Sequence, residues 1–178
     1  MKRINIGILA VTVLFAVFGF VLKNSPDGQA IGLEVGDKAP EIVMNDKDGK
    51  TLKLSQLRGY VVLIDFWASW CRPCRMENPT VVAAYEKFKD KKLGGSKGFK
   101  VFNVSLDTNK DAWIKAIGDD RLNWPEHVSD LKGWGNEAAK IYGVNSIPNN
   151  FLIDAKGIII GKRLRGPALE AELAKLEK

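Results

Sequence analysis

The run Tyr60 to Trp67 is apolar except for Asp65, and it leads through Ala68-Ser69-Trp70 into Cys71-Arg72-Pro73-Cys74. A nearly continuous apolar run of this kind is expected of a central strand covered on both faces, which requires layers above and below it. Two thiols separated by two residues can close a small ring as a disulfide. A helix beginning at the first would aim unpaired backbone N–H groups at its sulfur and hold Cys71 as a reactive thiolate. Buried strand, sharp exit and cysteine-led helix together point to thiol-disulfide chemistry.

The chain has 178 residues, 46% of them apolar, which suits one domain with a sizeable core plus an appendage. Its net charge of +6 is spread along the chain and accompanies no nucleic-acid motif, so a solvated surface is expected and no nucleic-acid partner. The appendage is N-terminal. Lys2 and Arg3 precede the uncharged 19-residue stretch Ile4 to Leu22, and Lys23-Asn24-Ser25-Pro26-Asp27-Gly28 follows. That stretch exceeds the roughly 7–15 residues of a signal h-region and approaches the about 20 that span a bilayer, which favours an uncleaved hydrophobic anchor helix. Gly28-Gln29-Ala30 offers small residues for cleavage, so a signal peptide stays open. In either case positive charge keeps the N-terminus in the cytoplasm and the remainder is extracytoplasmic, on the periplasmic side of an inner membrane. The expected division is 1–22 anchor or signal peptide, 23–32 linker and 33–178 folded domain. An oxidising or quinone-linked compartment is where a lone close-spaced cysteine pair can cycle.

From Leu33 onward strand and helix patterns alternate. Ile42-Val43-Met44 and Thr51-Leu52-Lys53-Leu54 flank Asp46-Lys47-Asp48-Gly49, a hairpin signal; the later acidic ligands of a calcium loop are missing. A helix is expected from about Arg72 to Asp90 with Pro79 kinking it, then a strand from Phe99 to Leu106. Thr108 is placed to cap a helix over Asn109 to Ile117, and a short helix is expected over Asn136 to Tyr142. Phe151-Leu152-Ile153 and Ile158-Ile159-Ile160 flank a turn, and Pro167 opens a last helix to about Leu176. The two long strands should lie parallel through a helical crossover, with the late hairpin adding antiparallel strands to the same sheet. The fold class is therefore α/β, a mixed sheet flanked by helices.

Other readings of the cysteine pair meet obstacles. Structural zinc needs four ligands, and two Cys plus the single His127 supply three at most. Covalent haem needs His after the second Cys, where Arg75 stands. Copper carriage would add His or Met, and nearby Met76 sits at a spacing that suits packing. A purely structural disulfide remains open, although a two-residue loop constrains the unfolded chain little. No cofactor or metal is expected.

Phe66-Trp67-Ala68-Ser69-Trp70-Cys71-Arg72-Pro73-Cys74, Glu77, Pro79 and Gly143-Val144-Asn145-Ser146-Ile147-Pro148-Asn149-Asn150-Phe151-Leu152-Ile153-Asp154 resemble the thioredoxin-like TlpA/ResA group of membrane-anchored or periplasmic oxidoreductases. The resemblance covers about residues 33–178 and implies a thioredoxin-like fold with an N-terminal β-hairpin extension. It implies that Cys71 attacks a substrate disulfide, that Cys74 resolves the mixed disulfide, and that Pro148 is the cis-proline facing the pair, leaving the backbone at Ile147 free to pair with substrate. Asp65 matches the buried acid of thioredoxins, a candidate base for Cys74, and Glu77 matches the acidic residue of the ResA-like branch; the bland alternative for each is an ordinary surface polar residue.

The resemblance further implies protein disulfides as substrates, reduction as the direction, and a membrane electron donor of thiol-disulfide type. Some relatives keep apocytochrome thiols reduced, which puts cytochrome c maturation among the pathways it allows. Two departures stand out. Asn149-Asn150 occupies positions where many relatives carry Thr or similar residues, and Arg72 replaces the Gly of thioredoxin. Arg72 favours the Cys71 thiolate while Asp65 and Glu77 oppose it. Two rival functions are a peroxiredoxin-like peroxidase, whose Pro-x-x-x-Thr-x-x-Cys pattern is missing, and a non-enzymatic metal- or thiol-binding chaperone.

Overall fold

The computed structural model describes residues 28–177. The segment 1–22 assigned above to an anchor or signal peptide lies outside the described residues, and among those described no helix is long and apolar enough to cross a membrane. β1 (Val43–Asn45) and β2 (Thr51–Lys53) form the expected hairpin, with Met44 opposite Leu52. Asp46 makes the turn: its Oδ1 accepts the N–H groups of Asp48 at 2.9 Å and Lys50 at 2.8 Å, so this carboxylate serves backbone, as Asx turns do.

β3 (Val61–Trp67) is buried at every position. After it come α1 (Arg72–Phe88), which continues through Pro79, and β4 (Phe99–Ser105), then α2 (Lys110–Asp119), β5 (His127–Val128) and α3 (Glu137–Ile141). β6 (Asn149–Ile153), β7 (Ile159–Lys162) and α4 (Pro167–Lys175) complete the described chain. One five-stranded sheet runs in the order β5-β4-β3-β6-β7. β3 is parallel to β4 and antiparallel to β6, which is itself antiparallel to β7. This is the thioredoxin-like arrangement, a mixed sheet between helical layers, and it puts β3 in the centre with its C-terminal end free to carry the cysteine loop.

Two local details differ from expectation. Asn109, not Thr108, caps α2, its Oδ1 accepting the Ala112 N–H at 2.9 Å. Both residue types cap well, and the helical phase that buries Trp113 and Ala116 begins one residue later. β5 has no signature of its own, because two residues carry no period. It exists because His127 pairs with Asn103 of β4 while Val128 bridges to Asp46 of the hairpin.

Alternation along β3 sorts its side chains between the layers. Phe66 packs on one face with Tyr142 and Phe151, at ring-centroid distances of 5.5 and 6.4 Å. Asp65 points to the other face, where Glu77 of α1 and Arg165 of the segment entering α4 bear on its charge.

Candidate active site

The peptide after β3 turns at once. Leu106 N–H donates to the Trp67 carbonyl at 2.8 Å and Cys71 N–H to that of Ala68 at 3.1 Å, so the chain leaves the sheet and enters α1 within four residues. Cys71 is the N-cap, in extended backbone at φ −82° and ψ 95°, and Pro73 occupies the first turn where an N–H is dispensable. Its Sγ accepts the Cys74 N–H at 3.2 Å, the position an N-cap oxygen takes. Cys71 and Cys74 are joined as a disulfide with a Cα–Cα distance of 5.3 Å. Both are buried, while Trp70 beside them is 53% exposed and Arg72 is exposed. Trp134, half exposed on the 3₁₀ turn Gly133–Gly135, stands 6.2 Å from Trp70 between ring centroids.

The loop before Cys71 is tied down from two sides. Asp107, just past β4, accepts Ser69 N–H at 2.9 Å, Ser69 Oγ–H at 2.5 Å and Ser105 Oγ–H at 2.7 Å. Arg75 donates from Nη1 to the Ser69 carbonyl at 3.2 Å and is held by Asp120 of α2's C-cap. Sequence reasoning singled out neither residue for the site; an ionisable residue directly after Cys74 was the available signal for Arg75. Asp107→Ala leaves three donors, that of Ser105 buried and the two of Ser69 partly buried, without their charged acceptor. It is expected to lose on the order of 3 kcal/mol in urea unfolding and to slow exchange by loosening the loop.

Asp65 lies on β3 with 4% of its surface exposed. Burial pushes its carboxyl up to about 7; the Arg165 charge and a 2.9 Å hydrogen bond from Asn103 Nδ2 work against that rise, and the Glu77 charge adds to it. Asn103 Oδ1 in turn accepts from Trp124 Nε1 at 2.6 Å, which fixes the amide's orientation. Glu77 is half-buried on α1, and its Oε1 accepts the Gly166 N–H at 2.7 Å, at the N-cap of α4. It therefore joins two helices as well as placing a negative charge near Asp65.

Ile147–Pro148 is a cis peptide. Because Asn149 pairs with Phe66, Pro148 sits at the sheet end from which the cysteine loop emerges. Among the described residues the backbone of Ile147 makes no hydrogen bond to another backbone group, so it is available to a visiting strand. Asn150 turns its amide to the backbone of Leu164, bonding its carbonyl and its N–H at 2.8 Å each. His127 is buried and held well below its usual value, at about 4, by desolvation; its Nε2 lies 3.1 Å from the Leu122 carbonyl and its ring stacks on Trp124. The site thus brings Asp65, Cys71, Cys74, Glu77, Ile147 and Pro148 to one end of the sheet and leaves His127 on β5.

A buried disulfide at the start of α1, a cis-proline just before β6 and a buried acid on the central strand define a thioredoxin-like thiol-disulfide oxidoreductase. The chain belongs to the AhpC/TSA family, whose model matches residues 35–162. It is 28% identical over 172 residues to the thiol-disulfide oxidoreductase ResA of Bacillus cereus, covering 97% of this chain and 93% of that protein. With ResA of Oceanobacillus iheyensis it shares 30% identity over 157 residues, 86% of this chain and 76% of the other. The thioredoxin domain of a thiol-disulfide oxidoreductase from Bacteroides vulgatus superposes with a TM-score of 0.73 at 33% identity, covering 83% of this chain and 100% of that one. A putative thiol:disulfide interchange protein DsbE from Chlorobium tepidum gives 0.70 at 33% identity, again with 83% and 100% coverage.

Proposed function

We propose that residues 33–178 form an extracytoplasmic reductase domain, held at the periplasmic face of the inner membrane by residues 4–22 or released after their cleavage. The domain donates two electrons to disulfides in other proteins. The observation that carries this reading is Cys71 capping α1 with its sulfur on the Cys74 N–H, because the same hydrogen bond and helix terminus stabilise a thiolate when the pair is reduced.

In the forward reaction the Cys71 thiolate attacks one sulfur of the substrate disulfide; that S–S bond breaks and the other substrate sulfur leaves as a thiolate. Cys74 then gives its proton to Asp65 and attacks Cys71 in the mixed disulfide. The second substrate sulfur departs, and the enzyme is left with the Cys71–Cys74 disulfide. Glu77 modulates the proton step by its charge. Ile147 and Pro148 supply the edge along which an extended substrate segment lies, in the manner of β-strand addition.

A membrane thiol-disulfide carrier returns the two electrons. Apocytochrome c, in cytochrome c maturation, is a client that the resemblance to the TlpA/ResA group allows. The exposed Trp70 beside the pair, with Trp134 close to its ring, supplies apolar contact for a polypeptide client. The peroxidase reading lacks an additional cysteine, since both thiols of the chain are in the 71–74 pair.

The test is the midpoint potential of the purified protein in thiol buffers, read from Trp fluorescence beside the pair. A value near or below the about −270 mV of thioredoxin is expected; a value near the about −120 mV of DsbA would overturn the direction and make the protein an oxidant.

A further inference from the structure

Between β7 and α4 the segment Arg163 to Gly166 crosses the Asp65 side of the sheet under restraint from two sides. Asn150, opposite Asp65 in the β3–β6 register, clamps Leu164 through both its N–H and its carbonyl, and donates nothing to Asp65 itself. Arg163 N–H also donates to the Asn150 carbonyl, at 2.9 Å, with Arg163 in left-handed backbone at φ 54°. On the far side Glu77 accepts the Gly166 N–H. Arg165 stands between these two clamps, so its placement is built rather than incidental.

Its side chain is unusual. Nη1 of Arg165 is buried and has no hydrogen-bond partner, a costly state for a guanidinium N–H unless a charge nearby compensates it. The Arg165 charge bears on Asp65, favouring its ionised form, without an ion-pair contact between them. From α1 the charge bearing on Asp65 is Glu77; β4 and β6 present the neutral amides of Asn103 and Asn150.

We infer that Arg165 is a positioning residue of the exchange reaction: set between Leu164, clamped by Asn150, and Gly166, held by Glu77, its guanidinium favours the ionised form of the buried Asp65 carboxyl that receives the Cys74 proton. The inference rests on Asp65 being the base for Cys74. The clamp gives a physical role to Asn150, and Glu77, whose charge opposes Asp65 ionisation, also fixes Gly166 beside the arginine that favours it.

The experiment follows single turnover of the reduced full-length protein with dithiobis(nitrobenzoate), whose first thiolate is released by Cys71 attack and whose second is released when Cys74 resolves the adduct. The wild-type second phase is expected to rise with pH through a midpoint near 7. Arg165→Gln moves that midpoint upward by about one pH unit, the low end of what a nearby opposite charge contributes, and slows the second phase several-fold at pH 7. Arg165→Lys restores most of the shift, and Glu77→Gln, which keeps an acceptor for Gly166 N–H but removes the charge, moves it downward. The first phase serves as the internal standard for folding.

An Arg165→Gln profile that superimposes on wild type overturns the inference while Asp65→Asn still alters the second phase. If Asp65→Asn leaves the profile unchanged, the base assignment falls, and the role of Arg165 with it. Should Arg165→Gln not fold, an unchanged midpoint in Asn150→Ala, which releases the Leu164 clamp that places Arg165, overturns the inference equally.

Discussion

Cys71→Ser is expected to bring insulin reduction down to the uncatalysed background, whereas Cys74→Ser is expected to form a mixed disulfide with substrate once and stop there. The asymmetry follows from position. Cys71 is the N-cap, at the positive end of α1 and with the Cys74 N–H on its sulfur, while Cys74 lies one turn inside the helix and is the more buried of the two. Only the first has a means of stabilising a thiolate ahead of substrate, and a thiol in its protonated form is a poor nucleophile. A serine at 71 cannot form the mixed disulfide. A serine at 74 leaves the first step intact and removes the sulfur that would release the client. Intact-mass spectrometry after incubation with a disulfide-bonded peptide reads both outcomes. Accumulation of the adduct on the Cys71→Ser variant, on Cys74, would reverse the assignment of the two thiols.

Asp65→Asn is expected to stabilise the protein at alkaline pH relative to wild type while slowing resolution of the mixed disulfide. The sign comes from proton linkage. The carboxyl has an ordinary value of 3.8 and is raised to about 7 in the fold. Between those values the native state binds more protons than the unfolded one, so stability falls as pH rises across the window. The penalty is fully present above about 7 and relieved at acid pH. Each pH unit corresponds to about 1.4 kcal/mol, which makes the full effect on the order of 4 kcal/mol.

Asn at position 65 can still accept from Asn103, so the substitution removes the charge and little of the packing. His127, held down at about 4, contributes a slope of the opposite sign between its folded value and 6.5, and this cancels when the variant is compared with wild type at each pH. Urea midpoints of both proteins at pH 4.5, 6 and 8 test this, with values chosen to bracket the raised carboxyl. A stability difference that does not change across that range would mean Asp65 is not a buried titrating group. A loss of exchange rate together with a gain in stability is what a functional buried acid produces, since the proton step needs the group the fold least tolerates.

Much of the molecule follows from neighbours in sequence. The apolar run ending at Trp67 determined a doubly covered strand, Asp46 and Gly49 a hairpin turn, Pro167 the start of the last helix and the region of Thr108-Asn109, to within one residue, the start of α2, because pattern, turn and cap are interactions over a few residues. The cysteine pair was legible from its place just after a strand, whereas the cis-proline and the acid at 65 were expected only from the resemblance to thioredoxin-like oxidoreductases.

What tertiary structure decided is the environment of those groups. Asp107 gathers Ser69 and Ser105 only because β3 and β4 run parallel and end together. Arg165 reaches the field of Asp65 only because β6 lies between β3 and β7 and Asn150 turns its amide to Leu164. β5 exists only through its partners. Charges, burial and buried hydrogen bonds are properties of space rather than of spacing, so the chain alone placed the reacting sulfurs, and the order of strands in the sheet decided which charges face Asp65.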